Sequence, residues 1–276
     1  MIRLLIAVLC TVSLAAAAQP VPLKTAVDST FPPHASVRMD GALEGFQIDL
    51  GEELGKHLKR PVVVEGGNFA GLIPALNAGR YDFLLAPVTA TAERAENMLF
   101  TEGYLFTAFQ FGIRRGNAPL ASPEDMRGKV LAVNKGSAYD AWAAANAAKY
   151  GFTPLVLDTF TDATLAVAQN RAYAQLGGNT TIRYAATKNR QFVADLLMKD
   201  TRSHWSLAIR KDNVAMRNLL ENAVECMKLD GTLVRLSEKW FGTTPDTDDA
   251  ERTVFAGYGV PGLAGYDPAP HTPVCD

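Results

Sequence analysis

The stretch Tyr81-Asp-Phe-Leu-Leu-Ala-Pro-Val-Thr-Ala-Thr-Ala-Glu-Arg94 joins a short apolar strand to the start of a helix. Its apolar first half predicts a buried strand. Thr89 and Thr91 follow, and Arg94 opens the next helix. Hydroxyls, backbone N–H groups and a guanidinium therefore converge at one strand-to-helix junction. Because a small carboxylate is bound by a bidentate cation together with neutral donors, this junction is a candidate anion site.

Strands and helices alternate on both sides of this junction. Before it, we predict strands at 21–28, 62–65 and 81–88, with helices at 43–58 and 69–78. After it, a second set has strands at 128–134, 154–157 and 172–176, with helices at 138–150, 162–169 and 182–187. Each βαβ set predicts an α/β fold with a parallel sheet covered by helices.

Two further strand-like segments, near residues 109–115 and 204–210, cross between the two sets. Two crossings mean that the second set is inserted into the first. The domains expected are lobe 1 at 19–112 plus 207–276, ending in a Gly/Pro-rich strap from Pro245, and lobe 2 at 113–206. Such a molecule closes around a ligand by hinge motion, and its cleft lies at the carboxyl ends of the strands.

Residues 1–18 read as a cleaved signal peptide, since a basic start, an apolar run and a small-residue cleavage site follow one another. A membrane anchor is the alternative, but the apolar run is short for a bilayer. Export predicts a periplasmic protein. Cleavage leaves two cysteines, Cys226 and Cys275, which are most simply a disulfide in an exported chain. Two unpaired thiols remain the alternative.

Composition excludes several other functions. The 276 residues carry a formal net charge of −2, so nucleic acid is not expected as a partner. The four histidines are not spaced as metal ligands. Neither a nucleophile elbow nor a phosphate loop is present, and no catalytic residue, metal or cofactor is predicted. A monomer that is not an enzyme is expected.

Three motifs resemble the family 3 solute-binding proteins, the periplasmic receptors that feed polar amino acids to ABC importers. They are Gly45-Phe-Gln-Ile-Asp-Leu-Gly-Glu-Glu-Leu54, Asn68-Phe-Ala-Gly-Leu-Ile-Pro-Ala-Leu-Asn-Ala-Gly-Arg-Tyr-Asp82 and Thr91-Ala-Glu-Arg94. The resemblance covers about residues 22–243, and Gln47 departs from the acidic residue usual at its position. It implies the bilobal type II periplasmic-binding-protein fold, a small carboxylate ligand and an ABC permease in the inner membrane as partner.

The resemblance also implies a ligand site. Arg94 would clamp the ligand carboxylate, Thr89 would hydrogen-bond the ligand, and Phe31 and Phe69 would sandwich its side chain. The remaining implied ligand-binding residues are Asp28 at the rim, Pro87 through its carbonyl, Asn134, Ser137, Ala138 and Tyr139 in lobe 2, and Gly178 with Asn179.

Gly178 is the main departure from the family. The family has an aspartate there, which binds the ligand ammonium. Either Asp28 substitutes, or the amine is solvated or modified, or the ligand has no free α-ammonium. The function expected is capture of a polar amino acid or a derivative for import. The alternatives are a periplasmic accessory or sensor protein, and an enzyme like cyclohexadienyl dehydratase, which uses an acid in the cleft.

Overall fold

The computed structural model describes residues 20–275, and these form twelve strands and eight α-helices. The strands are β1 (Leu23–Asp28), β2 (Thr30–Phe31), β3 (Ala35–Val37), β4 (Leu43–Glu44), β5 (Val62–Gly67), β6 (Leu84–Thr89), β7 (Met98–Phe100), β8 (Leu105–Arg114), β9 (Val130–Asn134), β10 (Thr153–Leu157), β11 (Ala174–Gly178) and β12 (Phe192–Arg210). The helices are α1 (Phe46–His57), α2 (Phe69–Asn77), α3 (Ala92–Ala95), α4 (Ala138–Tyr150), α5 (Phe160–Ala168), α6 (Asn179–Lys188), α7 (Val214–Leu229) and α8 (Thr232–Phe241).

Two long antiparallel strands, β8 and β12, connect the two halves of the molecule. They belong to a seven-stranded sheet of order β10-β9-β11-β8-β12-β6, with β7 paired to β12. At one end β8 pairs with β11 of the second βαβ set, and at the other end Trp205 of β12 lies opposite Thr89 of β6. The predicted bilobal α/β fold with two crossing strands is confirmed. The lobe boundaries at 112/113 and 206/207 stay a prediction.

The first lobe is built on the parallel pair β1–β5, as the βαβ pattern predicts. Helix α1 covers it with Phe46, Leu50 and Leu54, which recur at helical spacing and are fully buried. The parallel sheet does not continue from β1 to β6 through backbone hydrogen bonds alone. The hydroxyl of Thr25 donates to the Phe83 carbonyl (2.9 Å) and accepts from the N–H of Leu85 (2.8 Å), so a side chain links β1 to β6.

Most of the predicted helices and strands begin and end within three residues of the observed ones. Three elements begin at a residue that differs from the predicted one for a reason the structure shows. The predicted helix 43–58 begins only at Phe46, because Gly45 has φ of 138° and a Cβ there would lie 2.2 Å from the His34 carbonyl oxygen. Helix α6 begins at Asn179 instead of 182. The second crossing is a 19-residue strand instead of a short one, since hydrogen bonds to β8 extend it back to Phe192.

The predicted disulfide is confirmed. Cys226 on α7 is bonded to Cys275, with 5.5 Å between their Cα atoms. The C-terminal segment at 245–275, which we call the strap, ends at this disulfide and lies along α7. Its contacts include a bond from the Phe255 N–H to Glu102 and one from the Gly259 N–H to Glu221.

Buried charges lie where the strap meets α7. Lys228 forms an ion pair with Glu102 in which neither side chain is exposed, and it donates to the Thr253 carbonyl (2.7 Å). Glu225 pairs with His271 of the strap (2.8 Å). Burial raises the pKa of Glu221 to about 8, and the carboxylates of Glu102 and Glu225 add to the shift. The strap therefore packs over α7 largely through polar contacts.

Within residues 20–275, no helix has the length and apolar character needed to cross a membrane. The predicted signal peptide, residues 1–18, lies outside the described residues.

We expect the double variant Cys226→Ser, Cys275→Ser to be less stable than the wild type. The disulfide closes a loop with a sequence separation of 49, which contributes up to about 4 kcal/mol in the chain-entropy model. Urea unfolding of both proteins, with and without reductant, measures the loss. An unchanged unfolding midpoint in the double variant would contradict the assignment, and reductant should shift only the wild type.

The buried Glu221 carboxyl predicts a decline of stability with rising pH. Its folded pKa of about 8 exceeds the value of 4.5 for a free glutamate, so the folded state holds the proton more tightly. The stabilisation is complete below pH 4.5 and is lost as the pH rises to about 8. Glu221→Gln, which keeps an acceptor for the Gly259 N–H, should flatten this decline in urea unfolding between pH 5 and pH 8. The exposed Glu124→Gln is the control, and equal pH profiles for all three proteins would refute the prediction.

Candidate functional site

A small cavity lies between the two lobes. It is formed where β6 and β9 end and where α2, α3 and α4 begin. All of its lining residues belong to the set predicted from the sequence: Phe31, Phe69, Pro87, Thr89, Arg94, Asn134, Ser137, Ala138 and Tyr139. The structure thus brings together nine of the twelve residues that the resemblance implied, from both lobes.

Arg94 is held by neutral groups from both sides of the cleft. The hydroxyl of Thr91 caps α3 by accepting from the Arg94 N–H (3.3 Å), which fixes the backbone. The Arg94 guanidinium donates to the Thr89 carbonyl (3.0 Å) and, across the cleft, to the Gly136 carbonyl (3.2 Å). It also lies over the ring of Phe69, 5.6 Å from the centroid.

The environment of this guanidinium favours an anion. Burial lowers the pKa of Arg94, but an arginine side chain stays charged in proteins. Among residues 20–275 no acidic side chain forms a salt bridge with it. A guanidinium has five N–H donors, and two of them are used by the carbonyls. A bound carboxylate would therefore find both a positive charge and unused donors.

The N-terminus of α4 faces the same cavity from lobe 2. The hydroxyl of Ser137 accepts from the Asp140 N–H (3.1 Å) and donates to the Asn134 carbonyl (2.5 Å), so it caps this 13-residue helix. The first N–H groups, of Ala138 and Tyr139, have no acceptor within the helix. Together with the helix dipole they favour negative charge at this end of the cavity.

Aromatic rings form the apolar walls of the cavity. Phe31 and Phe69 are buried, and Phe31 contacts Phe160 of lobe 2 edge to face, with 4.9 Å between centroids. Tyr139 packs against Phe109 in the same manner, also at 4.9 Å. The walls can therefore accommodate an apolar ligand body.

Asp28 and Asn179, although predicted, do not line this cavity. One oxygen of Asp28 accepts from the Thr30 N–H (2.9 Å) and from the Thr30 hydroxyl (2.7 Å), and burial raises the pKa of this carboxyl. The side-chain oxygen of Asn179 accepts from the Ala108 N–H of β8 (3.1 Å). Both side chains thus make local structural contacts.

Gly178, the third predicted residue outside the lining, is tightly enclosed. A Cβ added there would lie 2.8 Å from Cζ2 of Trp205 and 2.8 Å from the hydroxyl oxygen of Tyr139. The indole of Trp205 therefore occupies the space into which a side chain at position 178 would project.

Trp205 and His34 lie beside the cavity and contact residues that line it, and sequence reasoning did not identify them. The indole N–H of Trp205 donates to the Thr89 hydroxyl (3.1 Å), and the residue is 1% exposed. His34 stacks edge to face on Trp205 at 4.6 Å and hydrogen-bonds Thr180 across the cleft (2.8 Å). Burial lowers the pKa of His34 to about 3, so its ring is neutral. The sequence offered one signal, the position of Trp205 on the second crossing strand.

Comparisons with known proteins agree with this geometry. The family described as "Bacterial extracellular solute-binding proteins, family 3" matches residues 23–243. The L-cystine-binding protein TcyJ of Escherichia coli (strain K12) is 27% identical over 221 residues, covering 80% of this chain and 82% of the relative. The L-arginine-binding protein of Pseudomonas aeruginosa is 27% identical over 241 residues, covering 84% of this chain and 93% of the relative.

A solved structure, described as an ancestral arginine-binding protein bound to arginine, superposes with a TM-score of 0.75 at 30% sequence identity. The match covers 80% of this chain and 98% of that one. Because the family match spans most of the chain, from β1 to the end of α8, the protein belongs to the family 3 bacterial extracellular solute-binding proteins.

Proposed function

We propose that this protein is the exported substrate-binding component of an ABC importer. It captures a small carboxylate-bearing solute, an amino acid or a derivative of one, in the inter-lobe cavity and presents the closed form to a membrane permease. The observation that carries the proposal is the mostly buried Arg94 guanidinium, which faces the cavity and is hydrogen-bonded to two neutral carbonyls. The names of the cystine- and arginine-binding relatives support the ligand class.

Binding and closure are coupled through groups from both lobes. The ligand carboxylate would accept from Arg94 and Thr89 of lobe 1 and from the first N–H groups of α4 in lobe 2. The Arg94–Gly136, His34–Thr180 and Phe31–Phe160 contacts already join the lobes in this closed arrangement. A ligand that bridges the same surfaces would favour closure by its higher affinity for the closed state.

The location and the partner follow from the same proposal. The predicted signal peptide and the family support an extracytoplasmic location, which we propose is the periplasm. We also propose that the protein acts as a monomer that meets a permease of the inner membrane.

The cavity favours binding over turnover. A dehydratase-like reaction would need an acid in the cleft, and the nine lining residues include no aspartate or glutamate. An accessory or sensor role on the same fold remains the alternative, and it predicts that the protein does not bind free amino acids.

We expect Arg94→Ala to weaken ligand binding by about 30-fold to several thousand-fold. Removing one partner of a buried charged hydrogen bond costs about 2–5 kcal/mol, much of it from the carboxylate left unpaired. A thermal-shift screen over amino acids, opines, betaines and simple organic acids identifies the ligand first, because binding stabilises the folded state. Titration calorimetry then measures the affinity of each variant.

The exposed Arg171→Ala is the matched control and should bind like the wild type. Equal affinity of the Arg94→Ala variant and the wild type for the same ligand would reject the proposed site.

A further inference from the structure

The cavity carries positive charge and no negative charge. Arg94 is its one charged lining residue, and the other eight are apolar or neutral. The unsatisfied donors of the cavity, the guanidinium and the start of α4, both favour an anion. A zwitterionic amino acid would bring an ammonium group into the same small space as its carboxylate.

An ammonium group in this cavity would lack an anionic partner. A buried charge is strongly unfavourable unless it is paired or well hydrogen-bonded. Pro87 offers its carbonyl, a neutral dipole. The carboxyl of Asp28 does not line the cavity: two hydrogen bonds from Thr30 occupy its Oδ1, and its Oδ2, although without a partner, is buried and not open to the cavity. Neither group replaces a carboxylate in direct contact with the ligand.

The space where such a carboxylate could project is filled. At Gly178 the indole of Trp205 and the hydroxyl of Tyr139 would both lie 2.8 Å from an added Cβ. Trp205 is in turn packed against Phe31 (6.1 Å between centroids) and against His34. The neighbourhood is thus an aromatic cluster without an anion, since burial also keeps His34 uncharged.

The Thr89 hydroxyl can donate a hydrogen bond to a ligand in the cavity. Its oxygen accepts from the indole N–H of Trp205 at 3.1 Å. With one lone pair engaged in this way, the hydroxyl proton is available for an acceptor, as a carboxylate or carbonyl oxygen would be. The ammonium of an amino acid is itself a donor and gains less from this hydroxyl.

We propose that the physiological ligand is a small carboxylate whose α-carbon carries no ammonium group, such as a 2-oxo acid, a 2-hydroxy acid or an unsubstituted acid with a compact apolar body. This inference rests on the proposed function, since it concerns the same cavity. It differs from that function in excluding free α-amino acids. The aromatic walls of Phe31 and Phe69 take the apolar body, and Arg94 takes the carboxylate.

The test compares ligands that differ only at the α-carbon. Wild-type protein comprising residues 19–276, with its disulfide formed, is titrated calorimetrically with four sets of ligands. They are alanine, lactate, pyruvate and propionate; leucine, its 2-hydroxy, 2-oxo and unsubstituted analogues; the same series for phenylalanine; and the same series for glutamate. Within the set that binds best, a member without the ammonium group should bind at least about 100-fold more tightly than the amino acid, given the penalty for an unpaired buried charge.

Each outcome decides between the two proposals. An amino acid that binds as tightly as its analogues without the ammonium group, or more tightly, overturns this inference and leaves the receptor function standing. Absence of binding by every member of all four sets at 10 mM, about the upper limit of a useful receptor, rejects the carboxylate receptor and this inference together.

A pair of variants tests the role of the missing anion. Trp205→Ala opens the space beside Gly178, and the double variant Trp205→Ala, Gly178→Asp adds a carboxylate there. Because both lack the indole, they differ only in the side chain at position 178. The double variant should bind the amino acid at least about tenfold better than the single variant, since its carboxylate pairs the ammonium.

Circular dichroism confirms that both variants are folded. If the added carboxylate leaves the preference between the amino acid and its analogue without the ammonium group unchanged, the missing anion does not set the specificity, and the proposal fails. If either variant is unfolded, the wild-type titrations alone decide.

Discussion

The cleft is organised around one cation that is held by dipoles. Arg94 lies between the Thr89 carbonyl of one lobe and the Gly136 carbonyl of the other, with the face of Phe69 beside it. Carbonyl oxygens orient a guanidinium without neutralising it, so its charge remains available to a ligand. The hydrogen bond to Gly136 also joins the lobes. We therefore propose that one side chain contributes both to anion binding and to closure.

The sequence predicts the parts of the fold and of the site that depend on local patterns. Helix α4 was predicted with its observed ends, because its residue spacing and its capping residue are local. The strand-to-helix junction at 89–94 likewise identifies the part of the cavity that we propose binds a carboxylate. The first twelve residues of β12, 192–203, were not predicted, since they are strand only through pairing with β8.

The roles of Trp205 and His34 depend on contacts between residues far apart in the chain. Trp205 reaches Thr89 across 116 positions, and His34 reaches Thr180 across 146. The glycine at 178 could be noted from the sequence as a departure, but its meaning could not. Only the structure shows that the indole of Trp205 fills the space beside it. The absence of a side chain at Gly178 on β11 is therefore compensated by a large side chain on β12.

The strap and the disulfide together make the end of the chain a covalent ring. Cys226 lies within α7 and Cys275 is the penultimate residue, so the backbone from 226 to 275 is closed on itself by the sulfur bridge. A single proteolytic cut anywhere in that ring leaves the two pieces joined, and the strap also stays in place through its contacts with Glu102, Glu221 and Glu225. Such a nick would be invisible by mass under oxidising conditions apart from one added water, and reduction would release the severed tail.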